Sequence, residues 1–298
     1  MKITDKPYVI KVPIRVRGNT LGYDFISNLA LDTYLLEDSS VILDFSDTKW
    51  FDGNLCSALG TILDDVKARR NTVFLRNLQR HVHQAFTKNK FLDTFGDIPI
   101  SEDSLTIPYK KIGINENEQE AKDFFNDQLF NKPDMPLMSN EARKRVLVAL
   151  FEVCVNALTH GECENVYVCG QIFPNKEIPE VSVTFSDMGR TIGANVNAFL
   201  KADLSGNKTI LWALEDGNTT KVNTTGGIGL KLLQSLVVLN HGSLQIVSGD
   251  GFVEFLDGYN KEYELDGYFP GTIVTIKLRL KDSNFYVLSS EIDINDIF

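Results

Sequence analysis

The chain has 298 residues, 43% hydrophobic and 23% charged, which excludes a disordered polymer and allows one large or two ordinary domains. Its formal charge is −10, divided as 13 basic against 14 acidic residues over 1–105 and 17 against 26 over the remainder. That balance excludes non-specific binding to nucleic acid, which needs a basic surface, and any polyanionic ligand would need a site built locally against the field.

In chain order, "YVIKVPIRV" has the period of a strand, and Val41 to Leu43 with Phe45 form the continuous apolar run of a buried one. "NLCSALGTILDDVKARR" carries Leu55, Leu59, Ile62, Leu63 and Val66 at helical spacing and ends basic, as a helix C-terminus favours. "NTVFLRNL" reads as a strand and "RHVHQAFTKNKFLDTF" as a helix. This βαβα succession predicts a small sheet with helices packed on it over residues 1–105. The polar segment "GDIPISEDSLTIPYKKIGINENEQE" marks the boundary near residue 105.

The part from 106 to 298 opens with helices. "EQEAKDFFNDQLF" is one, and "SNEARKRVLVALFEVCVNALTHG" is the longest, with Ser139 or Asn140 as N-cap and Gly161 as stop. Strands "NVYVCGQIF" and "EVSVTFSD" follow. The stretch from Gly189 to Thr225 shows only a short helical pattern among Thr, Asn and Gly. "GGIGLKLLQSLVVLNHG" is a glycine loop opening a helix, and "GSLQIVSGDGFVEFL" and "GTIVTIKLRL" are strands. The fold class is therefore α/β overall, and this part reads as α+β, with helices on one face of a largely antiparallel sheet. No apolar run approaches the ~20 residues of a membrane span, and the first residues lack a signal-peptide core. Cys56, Cys154, Cys163 and Cys169 form no C-x-x-C pair; a zinc site with His160 lacks the spacing, and free thiols suit a reducing, cytoplasmic compartment.

Three elements carry candidate chemistry. Glu152 and Asn156 lie four residues apart, hence on one helical face, with Val148, Val155 and Leu158 available to the core side. Asn offers Mg²⁺ a neutral oxygen beside phosphates, and Glu one turn earlier is a plausible general base, although such pairs also occur on solvated helices. Asp187 ends a strand, where its carboxylate can accept from the adenine exocyclic amine and would repel the guanine carbonyl; Gly189 allows close backbone approach, and an ordinary Asp-x-Gly turn is the plain alternative. Gly226, Gly227 and Gly229 precede an apolar helix, where backbone N–H groups and the helix dipole suit an anion.

The order of these parts over residues 115–280 resembles the GHKL superfamily of ATP-binding domains, whose N-boxes look like "FEVCVNALTHG". That superfamily includes histidine kinases, gyrase-type and MutL-type ATPases, Hsp90 and the anti-sigma-factor serine kinases. The resemblance implies a Bergerat-type α/β sandwich with ATP and Mg²⁺ as ligands. It implies Glu152 as catalytic base, Asn156 as the metal ligand, and Asp187 with Gly189 at adenine. It also implies Gly226, Gly227 and Gly229 at the phosphates and residues 190–225 as a lid, with His160 near the phosphates or in packing. The family pattern is D-x-G-x-G, and here "DMGRT" places Thr191 at the second glycine, at the adenine end of the cofactor site. Lys221, in the lid beside Lys201 and Lys208, is either a phosphate contact or a solvated lysine.

The first part, "VILDFSDTKWFDGNLCSALGTIL", resembles a STAS domain, the fold of anti-sigma-factor antagonists. There the phosphoacceptor hydroxyl lies two residues after an Asp; here Asp52 aligns and Asn54 stands at the acceptor position, and an amide cannot be phosphorylated. Ser46, Thr48, Ser57 and Thr61 are the nearby hydroxyls. His81 and His83 follow a strand rather than belonging to a helical hairpin, which argues against a sensor histidine kinase, and the residues after 280 leave no room for the transducer domain of gyrase, MutL or Hsp90, so that class is not the expectation. The expectation is a cytoplasmic signal-transduction protein that binds Mg-ATP and a protein partner, with no nucleic acid or membrane and a homodimer compatible with it. It acts as a Ser/Thr kinase of the anti-sigma type, as an ATP-dependent binding switch, or as a simple ATPase; a purely structural protein is the alternative without nucleotide.

Overall fold

The computed structural model describes residues 6–95, 103–215, 217–220 and 228–291. Strands β1 (Tyr8–Lys11) and β2 (Arg15–Val16) precede helix α1 (Thr20–Thr33), whose N-cap Asn19 accepts from the Gly22 amide. Then come β3 (Ser40–Asp44), β4 (Trp50–Phe51), α2 (Cys56–Ala68), β5 (Thr72–Arg76) and α3 (Arg80–Lys88). Strands β1, β3 and β5 form a parallel sheet, and β2 pairs with β4. Parallel neighbours need crossovers, and α1 and α2 supply them.

The second part holds β6 (Thr106–Gly113), α4 (Glu118–Phe125), β7 (Leu137–Met138), α5 (Asn140–His160), β8 (Asn165–Phe173), β9 (Glu180–Asp187), α6 (Ile192–Leu200), α7 (Gly206–Leu214), α8 (Ile228–Leu239), β10 (Ser243–Leu256), β11 (Tyr259–Arg279) and β12 (Phe285–Tyr286). A five-stranded antiparallel sheet runs β10–β11–β9–β8–β6. Between Leu256 and Tyr259, Asp257 and Gly258 both take positive φ, the two-residue hairpin turn that matches strand twist. The architecture is α+β. Among the described residues no helix is long and apolar enough to cross a membrane.

Two readings change. The polar segment before α4 contains a strand, β6, at the sheet edge. Pro108 stands where the β6–β8 register slips, and an edge bulge tolerates the missing donor. The stretch after Gly189 holds two helices, α6 and α7, rather than one short helical pattern.

Side-chain alternation gives the large sheet two different faces. Val166, Val168, Val181, Val183, Phe185, Leu244, Ile246, Val274 and Ile276 pack against α4, α5, α7 and α8. The opposite face carries Ser182, Thr184, Ser186, Gln245 and Thr275, all nearly inaccessible. The expected helices on one face are present, and the other face is also covered, by α1 and α2. Tyr23, Ile26, Leu59 and Ile62 share a core with Cys169, Val247, Phe252, Phe269 and Ile273. The polar groups between them are paired across the contact. Asn54 Nδ2 donates to Thr184 Oγ1 at 2.8 Å, Thr184 and Thr275 hydroxyls meet at 2.8 Å, Tyr23 OH meets Thr275 Oγ1 at 3.0 Å, and it donates to Gln245 Oε1 at 2.9 Å. Buried hydroxyls are tolerated only when bonded in this way.

Candidate cleft between the long helix and the sheet

Helix α5 starts at Ser139, whose side chain accepts from the Ala142 amide, and ends at Gly161, whose amide bonds back to the Asn156 carbonyl. Its C-terminal half lies over the apolar sheet face. A cavity of about 150 Å³ opens there, floored by Val166, Phe185, Ile246 and Val274 and walled by α5, α6 and α7. Apolar floors with a few convergent polar groups are typical of small-molecule sites.

Asn156 and Asp187 both line this cavity. Asn156 is half-buried on α5. Asp187 is 3% exposed at the end of β9, and its Oδ1 accepts from the Gly189 amide at 3.0 Å. Burial pushes its carboxyl from the ordinary 3.8 up to about 7, against the opposing pull of the Gly189 and Thr272 backbone amides. Gly189 is required: a Cβ there would collide with the Gly161 carbonyl, and the Arg190 amide donates to that same carbonyl at 2.6 Å. The strand tip is thereby clamped to the end of α5, so Asp187 and Asn156 share one cleft.

Glu152 lies one turn earlier on α5, half-buried, and is not among the residues lining the cavity. Its carboxylate lies against Gly229 at the start of α8, where a Cβ would strike Oε2. Thr191 accepts from the Ala194 amide at 3.0 Å as N-cap of α6 and is buried away from the cavity lining. The residue that replaces the second motif glycine thus starts a helix. Lys221, Gly226 and Gly227 lie outside the described residues. Lys201 closes α6 in the left-handed conformation and Lys208 sits in α7; neither lines the cavity.

Residues not singled out from sequence complete the walls: Arg190, Asn195, Trp212, Asn218 and Thr220. Asn195 Nδ2 donates to the His160 carbonyl at 2.8 Å, and Thr220 Oγ1 lies 3.2 Å from His160 Nδ1, which ties α6 and the segment after α7 to the end of α5. Ile192, Val196, Phe199 and Trp212 are the signal that was available in the sequence, an apolar pattern spanning two short helices. Among the described residues no cluster of three His, Cys, Asp or Glu side chains could hold a metal.

In the first part, Asn54 is 1% exposed, and Thr48, Ser57 and Thr61 are equally buried, while Ser46 is exposed. Asp52 Oδ2 accepts from the Gly18 amide at 2.9 Å and its Oδ1 from Trp50 Nε1 at 2.6 Å. The Gly53 amide donates to Gln171 Oε1 at 2.5 Å and Asn54 bonds Thr184, so the turn is built into the contact with the sheet. No model of a known protein family matches the chain, and a search of curated proteins finds no relative.

Proposed function

We propose that the cleft binds Mg-ATP and that the protein is a cytoplasmic, GHKL-like regulator whose nucleotide governs a protein partner. The observation that carries this reading is the convergence of a buried carboxylate at a strand tip, Asp187, with a neutral amide on α5, Asn156, around one apolar-floored cavity. Asp187 would accept from the adenine amine. Asn156 would offer a neutral oxygen to Mg²⁺, whose remaining ligands would come from phosphate and water, as is usual for this ion. The start of α8 at Gly229 would face the phosphates.

Three activities would be open to this site: phosphoryl transfer, a binding switch, and simple ATP hydrolysis with water in place of the acceptor hydroxyl. In phosphoryl transfer to a Ser or Thr hydroxyl, Glu152 would take the hydroxyl proton as the oxygen attacks. The acceptor would belong to another chain, because the acceptor position of the STAS-like turn holds Asn54, while Thr48, Ser57 and Thr61 are buried and the exposed Ser46 lies before the turn with its hydroxyl on Asp44. In the switch reading, nucleotide orders the segment around α6 and α7 and so creates or removes a partner surface. The position of Glu152 against Gly229, off the cavity wall, favours the switch.

Calorimetry with Mg-ATP and Mg-GTP tests the site. ATP is expected to bind with GTP at least tenfold weaker, and Asp187→Ala to lose that preference; ATP at 100 times its Kd should stabilise the fold by about 2.7 kcal/mol. Absence of binding overturns the proposal. Glu152→Ala then divides the activities: retained ATP binding with lost transfer or hydrolysis supports catalysis, and unchanged partner control supports the switch.

A further inference from the structure

We infer that Trp212 is the wall against which the planar base of the nucleotide stacks, making α7 part of the base site; this rests on the Mg-ATP reading above. Three aromatic rings line the cavity among the described residues, Phe185, Trp212 and the smaller His160 imidazole, whose Nδ1 lies 3.2 Å from Thr220 Oγ1. Phe185 is 2% exposed and committed to the core against Phe125, at 5.6 Å between centroids. Trp212 is half-buried and retains accessible surface.

The Trp212 ring is braced. It packs on Phe199 of α6 with centroids 5.9 Å apart and planes tilted by 47°. Its carbonyl accepts from Asn218 Nδ2 at 2.9 Å and from the Glu215 amide at 3.3 Å. Those bonds tie the end of α7 to Asn218, Thr219 and Thr220, which line the same cavity. A purine needs an edge partner and a face partner. Asp187 supplies a hydrogen-bonding edge and no flat surface. The indole supplies a flat polarisable surface and no base-specific bond. An aromatic wall accepts any planar base, so Trp212 sets affinity while Asp187 sets the choice of base.

The second tryptophan, Trp50, lies in the first part of the chain with its Nε1 held by Asp52. Trp50→Phe therefore leaves Trp212 as the single tryptophan of the full chain, to be excited selectively over the tyrosines. Titration of that variant with Mg-ATP should quench the emission in step with the calorimetric isotherm. In the wild-type background, Trp212→Ala and Trp212→Leu should each weaken Mg-ATP by about tenfold to a hundredfold, and Trp212→Phe by no more than about threefold. Inorganic tripolyphosphate with Mg²⁺, which has no ring to stack, should bind all four proteins within twofold. Leu restores apolar bulk without an aromatic face, so a deficit shared by Ala and Leu and rescued by Phe separates stacking from packing. If wild type binds Mg-ATP and Leu binds as tightly, or the emission stays flat through saturation, the stacking role is overturned while the nucleotide site stands. If wild type binds no Mg-ATP, both fall.

Discussion

Asp187 sets stability against the proposed function in one side chain. An acid whose pKa rises on folding binds its proton more tightly in the folded state. Between about pH 4 and pH 7 the folded chain holds that proton and the unfolded chain does not, so stability falls as pH climbs through this window and levels off above it. Three units correspond to at most about 4 kcal/mol of penalty above pH 7. Asp187→Asn keeps an oxygen for the Gly189 amide and removes the buried charge. Urea denaturation should find this variant more stable than wild type at pH 8 and about equal at pH 4, while its affinity for Mg-ATP drops. A variant that is less stable than wild type at pH 8 would show that the carboxylate is not held at a cost. In the proposed site an amine of the ligand would offset part of that penalty.

At the scale of elements, the informative pair is α2 and the sheet it covers. Asn54, in the turn Gly53–Leu55 that leads into α2, stands at the position where a STAS-like turn would carry a hydroxyl, yet its amide is spent on Thr184. Because Asn54 Oδ1 has no partner among the described residues, Asn54→Ser gives up one hydrogen bond, a cost of about 1 kcal/mol. The new hydroxyl would remain buried, so incubation with ATP should leave residue 54 unmodified by mass spectrometry; stoichiometric phosphorylation there would mean that the turn swings out of the contact. The same contact explains where the sequence was legible. Helix α5, strands β8 and β9 and helix α8 follow from long runs of a single period, and of the two caps offered, Ser139 and Asn140, the structure uses Ser139. The second buried face of the sheet was not, because its alternate residues are Ser, Thr and Gln, which read as solvated until Tyr23 and Asn54 are seen to bond them. Helix α1 went unread although Tyr23, Ile26 and Ala30 mark its buried stripe, and β6 was masked by Pro108, Lys110 and Lys111 in an edge strand. In the cleft, Asp187 and Asn156 were visible as motif residues. Trp212 showed only as part of an apolar helical pattern and Asn218 not at all, since topology alone brings α7 to the end of α5.

At the scale of the molecule, the question is whether residues 1–105 and 106–298 unfold apart. Phe252, Phe269, Ile273 and Val247 of the sheet are at most 1% exposed, and α1 and α2 are what cover them. Each such side chain is worth roughly 1.5–3 kcal/mol of burial, so four together match a typical net stability of about 5–15 kcal/mol. Uncovering that face would leave little to hold the second part folded, and the first part would expose the matching sides of α1 and α2. The two tryptophans lie one in each part, which makes the point measurable. In urea, Trp50→Phe reports on the second part through Trp212, and Trp212→Phe reports on the first through Trp50. Coincident midpoints, after each variant's own stability is fixed by circular dichroism, are expected of one cooperative unit. Mg-ATP should then raise the Trp50 midpoint of the Trp212→Phe protein, although the cleft proposed for it is lined by the second part alone. A Trp50 transition that precedes the other and ignores nucleotide would instead make the first part a separable domain, and the paired polar contact through Asn54, Thr184 and Tyr23 a docking surface rather than a shared core.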